Sequence, residues 1–387
     1  MSKFSSQTLL ILGVILISIN LRTSIASVGP LIPFIREDLG ISNGEAGFLT
    51  TLSLITFAIF SLLAPSLSKK LGHSKAIFLG ILLLATGVVI RVQGGIALLY
   101  LGTALTGIGI VTANVLMIPF FKARIPEKIG LMTALLSTGM SMFAAIASGI
   151  SVPMAEGLGW GWRGALLSWV GLMVLALIAW IPQLKPVPIQ NLAAHVPGKN
   201  VWKSTLAWQV TGFMGAQSVM YFTMITWLPD LLIARGMTPV NAGIALFYMQ
   251  LISLVGTFFA PNLLLRLKQQ SGVIIAVGIG YLIGYSALFI HQEWVTFAAL
   301  TIIGIGSGAS LSIAYTLISM RSGEERTTAK LSGMVQSAGY VLAALGPLVF
   351  GIFLDLFDNW NLLIWFLLLM TGQFMVLGIP AGRDQKI

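Results

Sequence analysis

The sequence predicts an all-α integral membrane protein with twelve transmembrane helices in two pseudo-symmetric six-helix bundles. The 387 residues are 57% hydrophobic and only 9% charged, whereas soluble domains carry about 25% charged residues. The apolar residues fall into twelve segments near the ~20 residues that a helix needs to cross the hydrocarbon core. The two halves of the chain also match each other without gaps over a long stretch.

The twelve segments are separated by short polar connections. We predict helices over approximately residues 8–33, 45–67, 75–92, 96–119, 129–152, 164–182, 204–228, 240–262, 273–290, 295–318, 331–353 and 361–380. We therefore assign residues 1–183 to an N-terminal six-helix bundle and residues 204–387 to a C-terminal one. The stretch 184–203 is rich in proline and lysine, which predicts a cytoplasmic linker.

The internal duplication is clearest between residues 32–67 and residues 228–263. The matched pairs include Pro33 with Pro229, Gly40 with Gly236, and Ser42 with Thr238. We expect each proline to end or bend an outward-going helix and each glycine to make the turn that follows. The hydroxyl pair is placed to cap the next helix. Such parallel repeats are typical of secondary transporters with a site at the interface of the halves.

Glycines recur in the fourth and tenth segments of this duplicated plan. They are Gly102, Gly107 and Gly109, and Gly304, Gly306 and Gly308. Small residues let neighbouring helix backbones approach closely in a membrane. We therefore expect these glycines to serve helix packing.

The net charge of +10 is explained by topology. With the N-terminus inside, all the lysines fall on the cytoplasmic side, while Arg36, Arg91, Arg163 and Arg235 fall outside. This positive-inside asymmetry predicts a multi-pass protein of the cytoplasmic (inner) membrane with both termini in the cytoplasm. It leaves no basic patch for nucleic acid, so the expected partners are the lipid bilayer and a small molecule.

One arginine, Arg22, lies near the middle of the first apolar segment, with no acidic residue at comparable depth. An arginine at that depth costs about 2.5–3.5 kcal/mol on insertion scales, so such residues are rare and usually functional. We expect its partner to be a visiting anion; the alternative is an arginine that caps backbone carbonyls. Asp230 is the least remote carboxylate, and we expect it to be a solvated acid at a helix end.

The duplicated plan, with a basic connection between helices 2 and 3, resembles the major facilitator superfamily. Residues 20–31 (NLRTSIASVGPL) and residues 161–165 (GWRGA) resemble the cyanate porter and nitroimidazole transporter family. The resemblance implies alternating access by rocking of the two halves, with a small anion or a small polar nitro-heterocycle as substrate. Two departures bear on coupling. Lys69 takes the place of the usual aspartate after helix 2, and Thr103 stands where proton-coupled members often have arginine.

In the fold that this resemblance implies, the first and fourth helices of each half line a central cavity, helped by the second and fifth. Polar residues at suitable depth give the candidate substrate-binding set. They are Arg22, Asn20, Asn114, Gln217, Tyr221, Gln250, Tyr315, Gln336 and Tyr340. Amides and phenols offer hydrogen bonds without fixed charge, although a buried amide often only bonds a neighbouring helix.

We therefore predict a monomeric secondary transporter, not an enzyme, that moves a small anion or a small polar nitro or carboxylate compound (cyanate-like) by alternating access. We expect no cofactor, no metal and, with no cysteine in the chain, no disulfide. The alternatives are a broad-specificity exporter of drugs or toxic compounds and a nitrate/nitrite-type porter. The glycine-rich signatures of nitrate porters are missing from helices 5 and 11, and no convergent catalytic side chains point to an enzyme.

Overall fold

The computed structural model describes residues 3–184, 200–322 and 325–387, and these ranges contain fourteen α-helices. They are α1 (Lys3–Ala26), α2 (Ile32–Leu39), α3 (Asn43–Leu71), α4 (His73–Arg91), α5 (Ile96–Arg124), α6 (Ile129–Val152), α7 (Gly161–Leu167), α8 (Val170–Trp180), α9 (Thr205–Ala234), α10 (Pro239–Arg266), α11 (Ser271–Ala287), α12 (Glu293–Ser322), α13 (Glu325–Phe357) and α14 (Asn361–Ala381). The first predicted segment corresponds to α1, and α2 lies mostly beyond its predicted end at residue 33, while the sixth segment divides into α7 and α8. The twelve-segment prediction is confirmed.

Membrane-crossing character is shared by most of these helices. Among the described residues, ten helical stretches are long and apolar enough to cross a bilayer, by length and composition only, and α11 is a shorter apolar helix. Helix α9 is not among them, because polar residues such as Gln217, Thr223 and Asp230 interrupt its apolar sequence. A polar helix in a membrane protein needs protein around it, and α9 is buried along most of its length.

The described part of the chain forms two compact units. The first contains Met1–Ile41 and Leu52–His195, and the second contains Ser42–Thr51 and Val196–Ile387. The division between the units, after His195, falls within the stretch 184–203 that was predicted as a linker, of which residues 185–199 lie outside the described ranges. The first ten residues from Ser42 pack with the second unit, which the sequence did not indicate.

Corresponding helices make corresponding contacts inside each unit. In the first unit α1 packs on α6 and α8, and α4 packs on α5 and α8. In the second unit α9 packs on α13 and α14, and α11 packs on α12 and α14. The duplication seen in the sequence is thus a duplication of packing as well.

The glycines of α5 and α12 stand where helix backbones come closest. A Cβ on Gly102 would lie 2.5 Å from the carbonyl oxygen of Gly87 in α4, and one on Gly308 would lie 1.7 Å from that of Ser253 in α10. Side-chain carbon atoms cannot approach carbonyl oxygens so closely. The packing role predicted for these glycines is confirmed.

The turns that precede α3 and α10 follow the predicted pattern. Gly40 and Gly236 have left-handed φ values of +63° and +90°, which favour glycine. The Ser42 hydroxyl accepts from the amide of Glu45 (3.2 Å) while the Glu45 carboxylate accepts from the amide of Ser42 (2.8 Å), a reciprocal capping box. Thr238 caps α10 in the same way, accepting from the amide of Asn241 at 3.3 Å.

Neither of the two matched prolines ends a helix. Helix α1 stops at Ala26, and Pro33 instead occupies the first turn of α2, where its missing N–H has no intrahelical partner to lose. Helix α9 continues through Pro229 to Ala234. Membrane helices tolerate internal proline because neighbouring groups satisfy the freed carbonyl.

Candidate functional site

Helix α1 ends inside the protein, so its last carbonyl groups need partners other than water. Each of the last four carbonyls has one. The acceptors are Thr23 (from the amide of Ser27, 3.0 Å), Ser24 (from Nη1 of Arg91, 2.9 Å), Ile25 (from the amide of Val28, 3.1 Å) and Ala26 (from the hydroxyl of Ser148, 3.1 Å). Contacts with α4 and α6 therefore fix the break in the first membrane segment. They also hold Arg22, which lies one turn before the break, at a defined position.

Arg22 lies on the face of α1 that packs on α6. Ser18 and Ala26, one turn to either side, both meet that helix: a Cβ on Gly139 would lie 2.1 Å from the Ser18 hydroxyl, and Ala26 accepts from Ser148. The Arg22 side chain is partly exposed. It forms no hydrogen bond and no ion pair with any residue in the described ranges, so it is neither neutralised nor used as a backbone cap there.

Asn20 lies on the opposite side of α1, because residues two apart on a helix do not share a face. It is fully buried and donates to the carbonyls of Leu16 (2.7 Å) and Leu172 in α8 (3.1 Å). The structure thus gives Asn20 a helix-packing contact and does not bring it together with Arg22. Asn114, on α5, is partly exposed like Arg22.

In the second unit, the structure brings two candidates into contact, Tyr221 on α9 and Gln250 on α10. The phenol donates to the amide oxygen of Gln250 at 3.5 Å, the long limit of a hydrogen bond, and Gln250 is buried. Gln217 is also buried, and its amide donates to the neighbouring Ser218 hydroxyl at 2.6 Å and to the sulfur of Met214. Of the three, the partly exposed Tyr221 is best placed to meet a solute.

The candidates on α13 lie beside the same part of α9. Gly339 packs on Met214, with 3.3 Å between its Cβ position and Cγ of Met214, so Tyr340 stands at about that height along the helix axis. Gln336, a turn earlier, donates to the hydroxyl of Ser332 at 2.9 Å, and both side chains are partly exposed. Tyr315 on α12 is the most exposed member of the predicted set.

The sequence did not indicate the burial of two charged residues. Arg91, which the charge pattern places on the outer side of the membrane, is only 1% exposed and reaches from the end of α4 to α1. Asp230, expected to be a solvated acid at a helix end, is 3% exposed within α9, because α9 continues past Pro229. The prediction of a solvated Asp230 is wrong. The sequence signal that could have indicated their burial is that both residues lie at the edge of an apolar run.

The Gly161-Trp162-Arg163 motif forms a small polar cluster with α2. Asp38 accepts from Nε1 of Trp162 (3.1 Å) and pairs with Nη1 of Arg163 (2.6 Å), whose guanidinium also lies 4.4 Å from the Trp162 ring centroid. Both charged side chains are about 40% exposed, so the pair is screened by solvent. The motif therefore ties α7 to the short helix that follows α1.

The family is shown by comparison with known proteins. The family model described as Major Facilitator Superfamily matches residues 10–282. The chain belongs to the major facilitator superfamily. It is 44% identical to the "Uncharacterized transporter YycB" of Bacillus subtilis (98% of this chain, 94% of that protein) and 35% identical to the "2-nitroimidazole transporter" of Escherichia coli (99% and 97%). It is 26% identical to the Escherichia coli "Cyanate transport protein CynX" (91% of each chain).

Solved structures agree with this assignment at the level of the fold. A crystal structure of the nucleoside transporter NupG superposes with a TM-score of 0.78 at 12% identity, covering 95% of this chain and 99% of that one. At such low identity the match concerns the fold alone. The resemblance to the cyanate porter and nitroimidazole transporter family, inferred from residues 20–31 and 161–165, is confirmed by the full-length relatives.

Proposed function

We propose that this transporter moves a small monovalent anion, or a small polar nitro or carboxylate compound, across the cytoplasmic membrane by alternating access, with Arg22 as the main substrate contact. The proposal rests on one observation: a partly exposed guanidinium in a membrane helix that has no ion pair with any described residue. A charge at that depth is costly unless something neutralises it. The chain would act as a monomer. Both of its termini would lie in the cytoplasm, a topology that the distribution of its lysines favours.

The chemistry of guanidinium supports this substrate class. Arginine presents N–H donors in a rigid planar fork that matches two coplanar acceptor oxygens. Carboxylates and nitro groups both present such a pair, and cyanate is a monovalent anion that can accept the same donors. The names of the relatives, for 2-nitroimidazole and for cyanate, are consistent with one site that binds these acceptor atoms. In the second unit, Tyr221, Gln336 and Tyr340 would add hydrogen bonds without further charge.

The energetics of an anion favour exchange over simple entry. An inside-negative potential opposes entry of a monovalent anion by about 2.3 kcal/mol per 100 mV. Uniport would therefore favour export, and net uptake needs a counter-moving anion or a proton. Asp230 is the one carboxylate described here as buried inside a membrane helix, so it is the residue to test for proton coupling. We propose an exchanger or facilitator that does not depend on it.

A broad-specificity exporter of toxic compounds is the second candidate. The observation that favours it is the 35% identity to a transporter named for 2-nitroimidazole, a drug-like nitro compound. A single site for small acceptor-bearing solutes predicts competition between cyanate and 2-nitroimidazole. An exporter with a general apolar pocket predicts instead that lipophilic cations compete.

Transport by purified protein in liposomes tests the proposal. We expect Arg22→Ala to abolish exchange of a labelled small anion and Arg22→Lys to retain little, because lysine offers a point charge without the fork. Arg266→Ala is the matched control, since Arg266 is an exposed arginine at the end of α10. Normal transport by the Arg22→Ala protein would contradict the proposal.

A further inference from the structure

We propose a second small-anion site, in the core of the first unit and centred on Arg91, that nothing in the transport proposal requires. Arg91 ends α4 and is 1% exposed. Its ordinary structural role is visible, since Nη1 donates to the carbonyl of Ser24 near the end of α1 at 2.9 Å. That contact uses one edge of the guanidinium only.

The other edge of the guanidinium is open. Nε and Nη2 of Arg91 are both buried, and neither has a hydrogen-bond partner in the part of the chain that the structure describes. These two nitrogens form the side-on fork of arginine, which binds two acceptor atoms of one group or a single small anion. No described carboxylate forms an ion pair with Arg91. A buried cation without a counter-charge is unfavourable by several kcal/mol, so an anion at the fork would satisfy both the charge and the donors.

Further unpartnered polar atoms lie in or next to α1, α5 and α8, within one or two helical turns of residues that Arg91 contacts or that are hydrogen-bonded in turn to those residues. Ser24, which accepts from Arg91, lies one turn from Asn20, and Asn20 bonds the Leu172 carbonyl in α8, a turn beyond Trp169. On the other side, Arg91 packs on Gly102 of α5, one turn from Thr106. The buried atoms without a partner among described residues are Oδ1 of Asn20, Oγ of Ser27, Oγ1 of Thr106 and Nε1 of Trp169.

The balance of donors and acceptors in this polar core favours an anion. The Arg91 fork and the Trp169 indole offer three N–H donors, the two hydroxyls can turn either way, and Asn20 supplies one acceptor oxygen. A group rich in acceptors and carrying one negative charge fits this excess. We therefore assign the site to a halide or a small planar monovalent oxyanion.

The site is separate from Arg22. Ser24 and Asn20 share one face of α1, whereas Arg22 lies two residues from each of them and faces away. Arg91 approaches α1 from α4, while the face carrying Arg22 meets α6. The anion would hold α1, α4 and α8 together, so its binding is expected to change stability and to be independent of the transport site.

Bromide titration of the purified full chain tests the site. Thermal unfolding is measured while sodium gluconate is replaced stepwise by sodium bromide at constant ionic strength. We expect bromide to raise the melting temperature of Arg22→Met, which keeps only the Arg91 site, and to have no such effect on the double variant Arg22→Met/Arg91→Met. In the Arg22→Met background, Trp169→Phe removes only the indole donor and should weaken the bromide response without abolishing it. Loss of the response in Arg22→Met, or its persistence in the double variant, overturns the proposal.

A second variant and a direct measurement cover the case in which Arg91→Met fails to fold. Arg91→Lys keeps a cation that can reach the Ser24 carbonyl but lacks the fork, so we expect it to fold and to bind bromide at least tenfold more weakly. An equal affinity would contradict binding by the fork.

Crystals grown in bromide should show an anomalous peak within hydrogen-bond reach of Nε and Nη2 of Arg91. Density for water alone, with no anomalous signal, overturns the assignment. If transport is lost in Arg22→Met while the bromide response remains, the two sites are distinguished.

Discussion

Replacing Asp355 by asparagine should loosen the contact that holds the beginning of α3 in the second unit. Oδ1 of Asp355 accepts from the backbone amide of Asn43 (2.9 Å) and from its side-chain amide (2.8 Å), and Oδ2 accepts from the amide of Gly44 (2.7 Å). A carboxylate near the end of α13 thus caps the N-terminus of α3. There it satisfies unpaired amides and opposes the positive end of the helix dipole.

The size of the effect follows from these contacts. Loss of an N-cap costs about 0.5–2 kcal/mol and loss of a charge at a helix N-terminus about 0.3–1 kcal/mol. Asparagine keeps one acceptor oxygen, and the site is exposed, so we expect about 1–2 kcal/mol in total. That corresponds to roughly a 5–30-fold change in the equilibrium between the packed and the released arrangement.

A unique cysteine reports this equilibrium, because the chain has no native cysteine. Thr50 is 7% exposed and its hydroxyl lies 3.0 Å from that of Thr226, so Thr50→Cys should react slowly with a maleimide in detergent solution. Adding Asp355→Asn should speed labelling roughly 5–30-fold, in line with the free energy above. Asp358→Asn, at an exposed acid with φ of +45° that asparagine tolerates, is the control. A labelling rate unchanged by Asp355→Asn would refute the reasoning.

Two further predictions follow from close contacts and buried charge. Gly351→Ala should speed the same labelling reaction and lower the melting temperature, because its Cβ would lie 2.5 Å from the carbonyl oxygen of Asn43; overpacking of this kind costs about 1–3 kcal/mol. Gly333→Ala, in the same helix with open space around it, should change neither the labelling rate nor the melting temperature. Similar behaviour of the two variants would show that the contact at Gly351 has room for a methyl group. Asp230→Asn should leave anion exchange intact and independent of a pH gradient. Abolished pH-driven uptake in that variant would show instead that Asp230 carries the proton.

Local features of the fold were predictable from the sequence because their causes are local. The helices follow from apolar segments of membrane-spanning length, and the turn before α10 follows from Gly236 and Thr238, whose backbone and capping preferences act within a few residues. The packing role of the glycines in α5 and α12 was also predictable, because close backbone contact explains such a row of glycines in apolar helices. The opposed faces of Asn20 and Arg22 were implicit in their spacing of two residues.

Long-range placement could not be predicted in the same way. Hydropathy gives the depth of a residue but not the direction in which a long side chain turns, so the burial of Arg91 against α1 was not predicted. The burial of Asp230 depends on α9 continuing past a proline, which its neighbours in the bundle decide. The Asp355 contact joins residues about three hundred positions apart, and no local pattern indicates it.

The most direct test of the central claim is the affinity of purified wild type and Arg22→Gln for small anions, measured by isothermal titration with cyanate, formate, nitrate and benzoate. Glutamine keeps a polar side chain of similar reach but has no charge and no fork. Since a hydrogen bond to a charged group contributes about 1.5–3 kcal/mol, we predict that the anion bound by the wild type binds at least tenfold more weakly to Arg22→Gln, with the melting temperature in the absence of ligand unchanged. Equal affinity in the two proteins, or no binding of any of these anions to the wild type, would contradict the account.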